Sequence, residues 1–460
     1  MRVIVVGGGV AGLTAAWKLS KLGLAVELYE SSNRLGGLIQ SIDLDGTSLD
    51  VGAEAFAVAR PDTLELIADL GLSHLVEEPA NSEARILVDG RVIKIPHGVL
   101  GIPSDLDSEE LIEAIGPEAV LEAKRLDAQP WSTKPNGTLA DLVRDRLGES
   151  VLRTLVTPVV AGVHASDPNL LEADAVAPGL FARAAQLGSL SAAAAAIRAT
   201  AARPGAAVAT LAGGMMQLIQ GLERAVTQAG VTLHLSTPVT RVEQNQDGYR
   251  LSLGIPTDEQ QPQADLLVVA VPPAVAAKIL SPLATLAEPL ARIPQVDVTV
   301  VALSAENSKL ARAPLGSGVL VAPGNTAVSA KASTHTSAKW DSVQSRIGEN
   351  RHLVRLSYGR NGLAPAASPD LVKTAKQDAV RLFGFNEADI REVAIQEWPQ
   401  SLVQARTGHR RVLDDLGLAL RHHPQLGIVG AGLGGNGITG ILAKTNTEIE
   451  RITSEIKETV

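Results

Sequence analysis

The 460-residue chain contains no cysteine. Disulfides, iron–sulfur clusters, thiolate zinc sites and cysteine nucleophiles are therefore excluded, and the absence fits a reducing compartment. Aromatic residues are scarce at 2%, so the apolar core must rely on Leu, Val, Ile and Ala. Long apolar runs are missing as well. The richest stretch, DAVAPGLFARAAQLGSLSAAAAAI, is broken by Pro178, Gly179 and Arg183, and no run approaches the roughly 18 residues that span a bilayer. Basic tracts are lacking too. With a formal charge of −9, the chain offers nucleic acid no electrostatic footprint. A strand pattern begins at residue 3, which leaves no room for a secretory leader. These absences predict a soluble, cytoplasmic protein with no transmembrane segment. They leave room for peripheral membrane contact. The length allows a large core divided into two or three lobes.

What is present begins at once. RVIVVGGGVAGLTAAWKLSKLGLAVELYE reads as strand, glycine turn, helix and second strand. Val3–Val6 is a continuous β-branched run, as expected for a strand buried on both faces. Gly7 makes the tight turn, Gly9 lets backbone approach a pyrophosphate, and Gly12 permits close helix–strand packing. Gly8, Val10 and Ala11 complete the turn and open the helix, whose N–H groups face phosphate. Glu30 ends the second strand 18 residues after Gly12. It suits ribose hydroxyls and repels a 2′-phosphate. Strand, helix, second strand and terminal acid in one register point to a dinucleotide site.

The segment after Glu30 chooses the nucleotide. In ESSNRLGGLIQS, Ser31, Arg34 and the pair Gly36–Gly37 follow immediately. This E-x-x-x-R-L-G-G run resembles the second fingerprint of the flavin-dependent amine oxidase and protoporphyrinogen oxidase superfamily. The resemblance implies noncovalent FAD, with Arg34 and Gly37 at its diphosphate. DVGAEAF is similar to the family's turn beneath the flavin and puts Gly52, Ala53, Glu54 and Ala55 there. The backbone of Val239, in the block 210–273 that returns the chain to the cofactor unit, matches the family's adenine contact.

Near the other end, IVGAGLGGNGITG repeats the glycine spacing from Gly430. A second nucleotide unit would need another strand ending in an acid, but LAKTNTEIERITSEI reads as helix. One strand therefore feeds one long helix, whose amino end near Asn436, Gly437 and Ile438 carries a positive dipole. In the flavin family this end faces the pyrimidine edge of the isoalloxazine ring. The two ends of the chain are expected to hold opposite ends of one FAD.

Three further stretches narrow the resemblance. PVVAGVHASDP, ILVDGRVIKIPHGVLGIP and WPQSLVQARTGH are similar to segments of protoporphyrinogen and coproporphyrinogen oxidases. There are departures: His164 stands for an aromatic, Ser166 for Gly, Val403 for Pro and Ala405 for Tyr. The resemblance places Trp398 at the cofactor, Gly162 against the macrocycle, and Arg60 and Arg85 at substrate propionates. His422–His423 fits a helix C-terminus better than a metal site. No metal is expected, and no general base stands out.

The expected fold is α/β. It combines a Rossmann-like FAD-binding domain with a mixed α+β substrate domain and a helical lobe, the p-hydroxybenzoate hydroxylase and amine-oxidase architecture. The FAD unit takes residues 1–79, 208–278 and 420–460, the substrate unit 80–104 and 279–419, and the helical lobe 105–207. The implied reaction is six-electron oxidation of coproporphyrinogen III, with O2 as acceptor and H2O2 as product. Protoporphyrinogen IX is the competing substrate. Another amine oxidase or desaturase, or an inactive flavin-binding protein, stays open. The resemblance also leaves room for transient contact with other haem-biosynthesis enzymes.

Overall fold

The computed structural model describes residues 1–58, 60–80, 83–131, 137–199, 208–254, 261–310, 312–360 and 363–457, with side chains to Ser454. Its first sheet has five parallel strands in the order Thr232–His234, Ala25–Tyr29, Arg2–Val6, Leu266–Val269 and Leu426–Ile428. Val3, Ile4 and Val5 have no exposed surface, because both faces of this sheet are covered. Helices Val10–Ser20, Met216–Gln228 and Ile438–Lys457 cover one face. Helices Pro273–Ile279, Ala284–Ala291 and His409–Leu420 lie with a three-stranded meander on the other.

A second sheet runs Ile390–Val403, Gln295–Glu306, Arg351–Tyr358, Ala332–His335, Gly318–Val321, Ala84–Val88 and Arg91–Lys94. Its pairs are antiparallel except where Gly318–Val321 runs parallel to Ala84–Val88. A hairpin turns at Asp89–Gly90, with both residues at positive φ. Helix Pro369–Phe383 packs over one face.

The helices between Glu109 and Ala199 share one core with Ile86, Val88, Ile93 and Ala322 of the second sheet region. Thr138 caps one of them by accepting from the Asp141 N–H at 3.0 Å, the role its hydroxyl suits. The apolar stretch around Gly188 forms two short helices, Leu180–Leu187 and Leu190–Ala199, bent by 119°. No single helix among the described residues is long and apolar enough to cross a membrane.

Candidate active site

The first glycine turn is built as its sequence requires. Gly7 has φ +109°, and a Cβ there would lie 2.6 Å from the Ala270 carbonyl oxygen. A Cβ on Gly12 would lie 1.9 Å from the Gly7 oxygen. Gly9 differs: a Cβ there would meet only the Gly37 Cα, at 4.0 Å. The second glycine turn closes on the first, because the Gly36 N–H donates to Gly8 O at 2.9 Å.

Glu30 accepts from the Gly8 N–H at 2.7 Å and from the Ser32 N–H at 2.8 Å. Ser31 is exposed, and its hydroxyl lies 3.3 Å from the Glu30 carboxylate. Arg34 donates to Gly37 O at 3.0 Å; burial lowers its pKa and the Glu30 charge opposes this. The Thr237 N–H donates to Glu30 O at 2.9 Å. This carries the chain past the end of the second strand and brings Val239 there, at the edge of a bulged pair with Leu253.

The segment Asp50–Ala55 is fixed from two sides. Trp398, 8% exposed, donates through Nε1 to Val51 O at 2.9 Å. A Cβ on Gly52 would lie 3.3 Å from its ring and 1.9 Å from Leu38 O. The Ala53 N–H bonds Leu38 O at 3.0 Å. The carboxylate of Glu54 is engaged by Lys339 and Arg355, and Arg355 also donates to Gly52 O at 2.8 Å. Burial alone would raise the Glu54 pKa, but the two cations overcome it and hold the carboxyl at about 2. Glu54 thus pins this turn to the second sheet. Arg355 and Lys339 were not read from the sequence. The available signal was the pair Arg351 and Arg355, four apart in one strand and so on one face; Arg351 pairs with Asp45 of the neighbouring hairpin.

The C-terminal glycines reach the same place. A Cβ on Gly7 would lie 3.0 Å from Val271 Cγ1, and one on Gly430 would lie 3.9 Å from Val271 O. Beyond them, Cβ atoms on Gly435 and Gly437 would meet nothing within 4 Å. Ile438 then opens the last helix. Asn436 clasps Val403 at both backbone atoms: it accepts from the N–H at 3.2 Å and donates to the carbonyl at 2.8 Å. A proline at 403, as in the resembling segment, could not supply that N–H. His409 lies 3.0 Å from Gly432 O through Nε2, so that nitrogen carries the proton.

The expected substrate residues fall on two walls. Ala57 O accepts from Thr439 in the first turn of the last helix at 2.7 Å. Arg60 lies three residues further on, 61% exposed and 3.2 Å from Asp62. Arg85 is half-buried on the second sheet, opposite Val319. Its neighbour there, Leu320, faces Gly162: a Cβ on Gly162 would lie 2.5 Å from Leu320 Cδ2. Arg85 shares the sheet face of Val319 and Leu87, which pack in the core under helix Pro369–Phe383, whereas Leu320 and Gly162 belong to the other face; no described contact joins Arg60 to either. Gly162 sits in helix Thr157–His164, which follows a π-helical stretch at Leu152–Val156. Pro158 has no N–H for the carbonyl four residues back, which favours the wider winding. The buried Lys331 donates to Gly162 O at 2.7 Å, and nothing in the sequence singled it out. No cluster of metal-ligating side chains occurs among the described residues.

The signature of the family described as flavin containing amine oxidoreductase matches residues 10–432. The chain belongs to this family. Coproporphyrinogen III oxidase of Mycobacterium tuberculosis (strain H37Rv) is 33% identical, over 94% of this chain and 93% of that one. Its counterpart in Bacillus subtilis (strain 168) is 27% identical, over 95% and 94%. A solved structure from Exiguobacterium sp. 255-15, provisionally named protoporphyrinogen oxidase, superposes with a TM-score of 0.84 at 24% identity, over 99% of both chains.

This flavin oxidoreductase has a strip that suits its cofactor. Cβ atoms on Gly9, Gly430, Gly435 and Gly437 would meet nothing closer than 3.9 Å. The strip starts beside the Glu30 carboxylate and ends at the amino terminus of the last helix. Backbone free of side chains and a helix dipole favour phosphate and an electron-rich ring edge.

Proposed function

We propose that the chain is an FAD-dependent coproporphyrinogen III oxidase of haem biosynthesis, with O2 as acceptor and H2O2 as product. The observation that carries this reading is similarity over nearly the full length to relatives bearing that name; the glycine strip fits one flavin nucleotide. Gly7–Gly12, Arg34 and Gly37 would hold the diphosphate, Glu30 and Ser31 the ribose, and Val239 the adenine. Gly52–Ala55, Trp398, Gly430 and Asn436–Ile438 would hold the ring. The chemistry that the bound flavin supplies is hydride acceptance, three times for a six-electron oxidation. The chain's own part is to bind, orient and exclude water. Arg60 and Arg85 would take propionates, and Gly162 would stand against the macrocycle. Residues 1–79, 208–278 and 420–460 form the cofactor unit in this reading. Residues 80–104 and 279–419 form the substrate unit, and 105–207 the helical lobe. Helices Ala284–Ala291 and His409–Leu420, which pack on the five-stranded sheet, are the joint.

The test is oxygen uptake with the two porphyrinogens side by side, on protein whose released nucleotide has been identified. FAD and faster turnover of coproporphyrinogen III are expected. Faster protoporphyrinogen IX turnover would reassign the substrate. Release of NAD, or of no nucleotide, would overturn the reading.

A further inference from the structure

Lys331 is a buried cation. It is 3% exposed, and no ion pair to a carboxylate is described for it. Its Nζ bonds the Gly162 carbonyl, which belongs to the last turn of helix Thr157–His164. The next carbonyl-bearing residue in that turn to be held is His164, whose oxygen accepts from Gln404 Nε2 at 2.7 Å. Gln404 follows Val403, which Asn436 clasps beside the glycine strip. The helix end is thus fixed between the proposed flavin site and Lys331.

The charged and titratable groups around Lys331 do not neutralise it. Arg360, after strand Arg351–Tyr358, is another cation and donates to Val321 O and Ala330 O, both at 2.9 Å. Asp378, on helix Pro369–Phe383, already accepts from the N–H groups of Ser329 (3.1 Å) and Ala330 (2.9 Å) and from Tyr358 (3.0 Å). His164 is pushed down to about 4 by burial and then by the Lys331 charge, so it is neutral near pH 7. Burial, with Arg360 second, lowers Lys331 itself to about 8.

A lysine on a terminal carbonyl has a structural role as a helix cap, favoured by the dipole. Capping accounts for one hydrogen bond. It does not account for a buried ammonium with two further donors and no acid paired to it among the described residues. In a low-dielectric wall such a charge acts on neighbouring charges with little screening.

We propose that Lys331 is a substrate-positioning residue, fixing the Gly162 carbonyl and supplying the wall with a positive charge that an anionic group of the substrate neutralises. This rests on the porphyrinogen reading given above.

The experiment compares wild type, Lys331→Met and Lys331→Arg in steady-state turnover of coproporphyrinogen III across pH 6.5–9.5, with flavin absorbance and Tm as controls. Lys331→Met is expected to raise KM about tenfold or more, the scale of one charge-assisted contact, with kcat changed far less. Wild-type KM is expected to rise as pH passes through about 8, where the charge is lost. In Lys331→Arg that rise disappears from the range, because guanidinium stays protonated. A wild-type KM in Lys331→Met, or a wild-type KM–pH curve in Lys331→Arg, overturns the proposal. Should Lys331→Met fail to fold, the Lys331→Arg curve decides alone. Wild-type protein that turns over neither porphyrinogen overturns the functional reading and this inference with it. An active wild type with unaffected variants overturns this inference alone.

Discussion

Glu30 and Glu54 are both acids at the proposed cofactor site, yet they do different work. Glu30 accepts two backbone N–H groups and stands at the start of the glycine strip. Glu30→Ala should remove a charged acceptor worth about 1.5–3 kcal/mol, and so weaken FAD roughly 10- to 150-fold in a titration of apoprotein. Glu54 instead holds two partly buried cations. Glu54→Gln leaves them short of an anion and should cost about 1–3 kcal/mol in urea unfolding, below the figure for a fully buried pair. Its folded pKa of about 2 lies below the ordinary 4.5. Its contribution is therefore complete above pH 4.5 and disappears as pH falls through about 2. Asp50 has the opposite sign. It is 8% exposed, with one oxygen bonded to the Met215 N–H at 2.8 Å and the other unpartnered. It faces a small cavity of about 20 Å³ shared with Glu54 and Arg346. Burial, helped by the Glu54 charge, pushes it up to about 6 from 3.8. The folded chain thus gains stability from this group at low pH and loses it as pH rises through about 6. Asp50→Asn should raise stability by about 1–3 kcal/mol at pH 8 and by little at pH 4, read from Tm at the two values.

At the scale of elements, the last helix is the informative one. It enters through glycines at positive φ, and the Asn436 side chain ties its approach to the neighbouring strand. Gly432 and Val403 are coupled, since a Cβ on Gly432 would lie 2.8 Å from the valine side chain. Gly437 is different, because nothing lies within 4 Å of its Cβ position. Gly437→Val should therefore fold with an apoprotein Tm near wild type while lowering flavin occupancy or reactivity. Saturation of the wild type at one FAD per chain is expected. Two nucleotides per chain would show that the C-terminal stretch forms a site of its own.

At the scale of the molecule, a net charge of −9 cannot draw in a multiply anionic substrate, so local cations must oppose it. Arg60 stands near the last helix and Arg85 on the second sheet. Each substitution to Ala should raise KM for coproporphyrinogen III several-fold or more, about 5- to 150-fold for the 1–3 kcal/mol of a charge-assisted pair, and toward the low end for the exposed Arg60. The flavin spectrum should stay unchanged, and the four-propionate substrate should suffer more than the two-propionate one. Wild-type KM and kcat in both variants would remove these arginines from the substrate site.

The sequence by itself determined the parts whose physics is local. Gly7 and Gly12 are demanded by a turn within a dozen residues, Val3–Val6 by burial on both faces, and the single C-terminal strand and helix by the absence of a second strand and acid after Gly430. Thr138 and the Asp89–Gly90 hairpin are legible for the same reason. The tertiary structure alone decided which charges meet across hundreds of residues. Lys339 and Arg355 reach Glu54 from about 300 positions away, and Lys331 reaches Gly162 across 169. A lysine or arginine in a strand looks alike in sequence whether it is solvated or buried. Only packing sets its dielectric and its partner, and with them its pKa and its use.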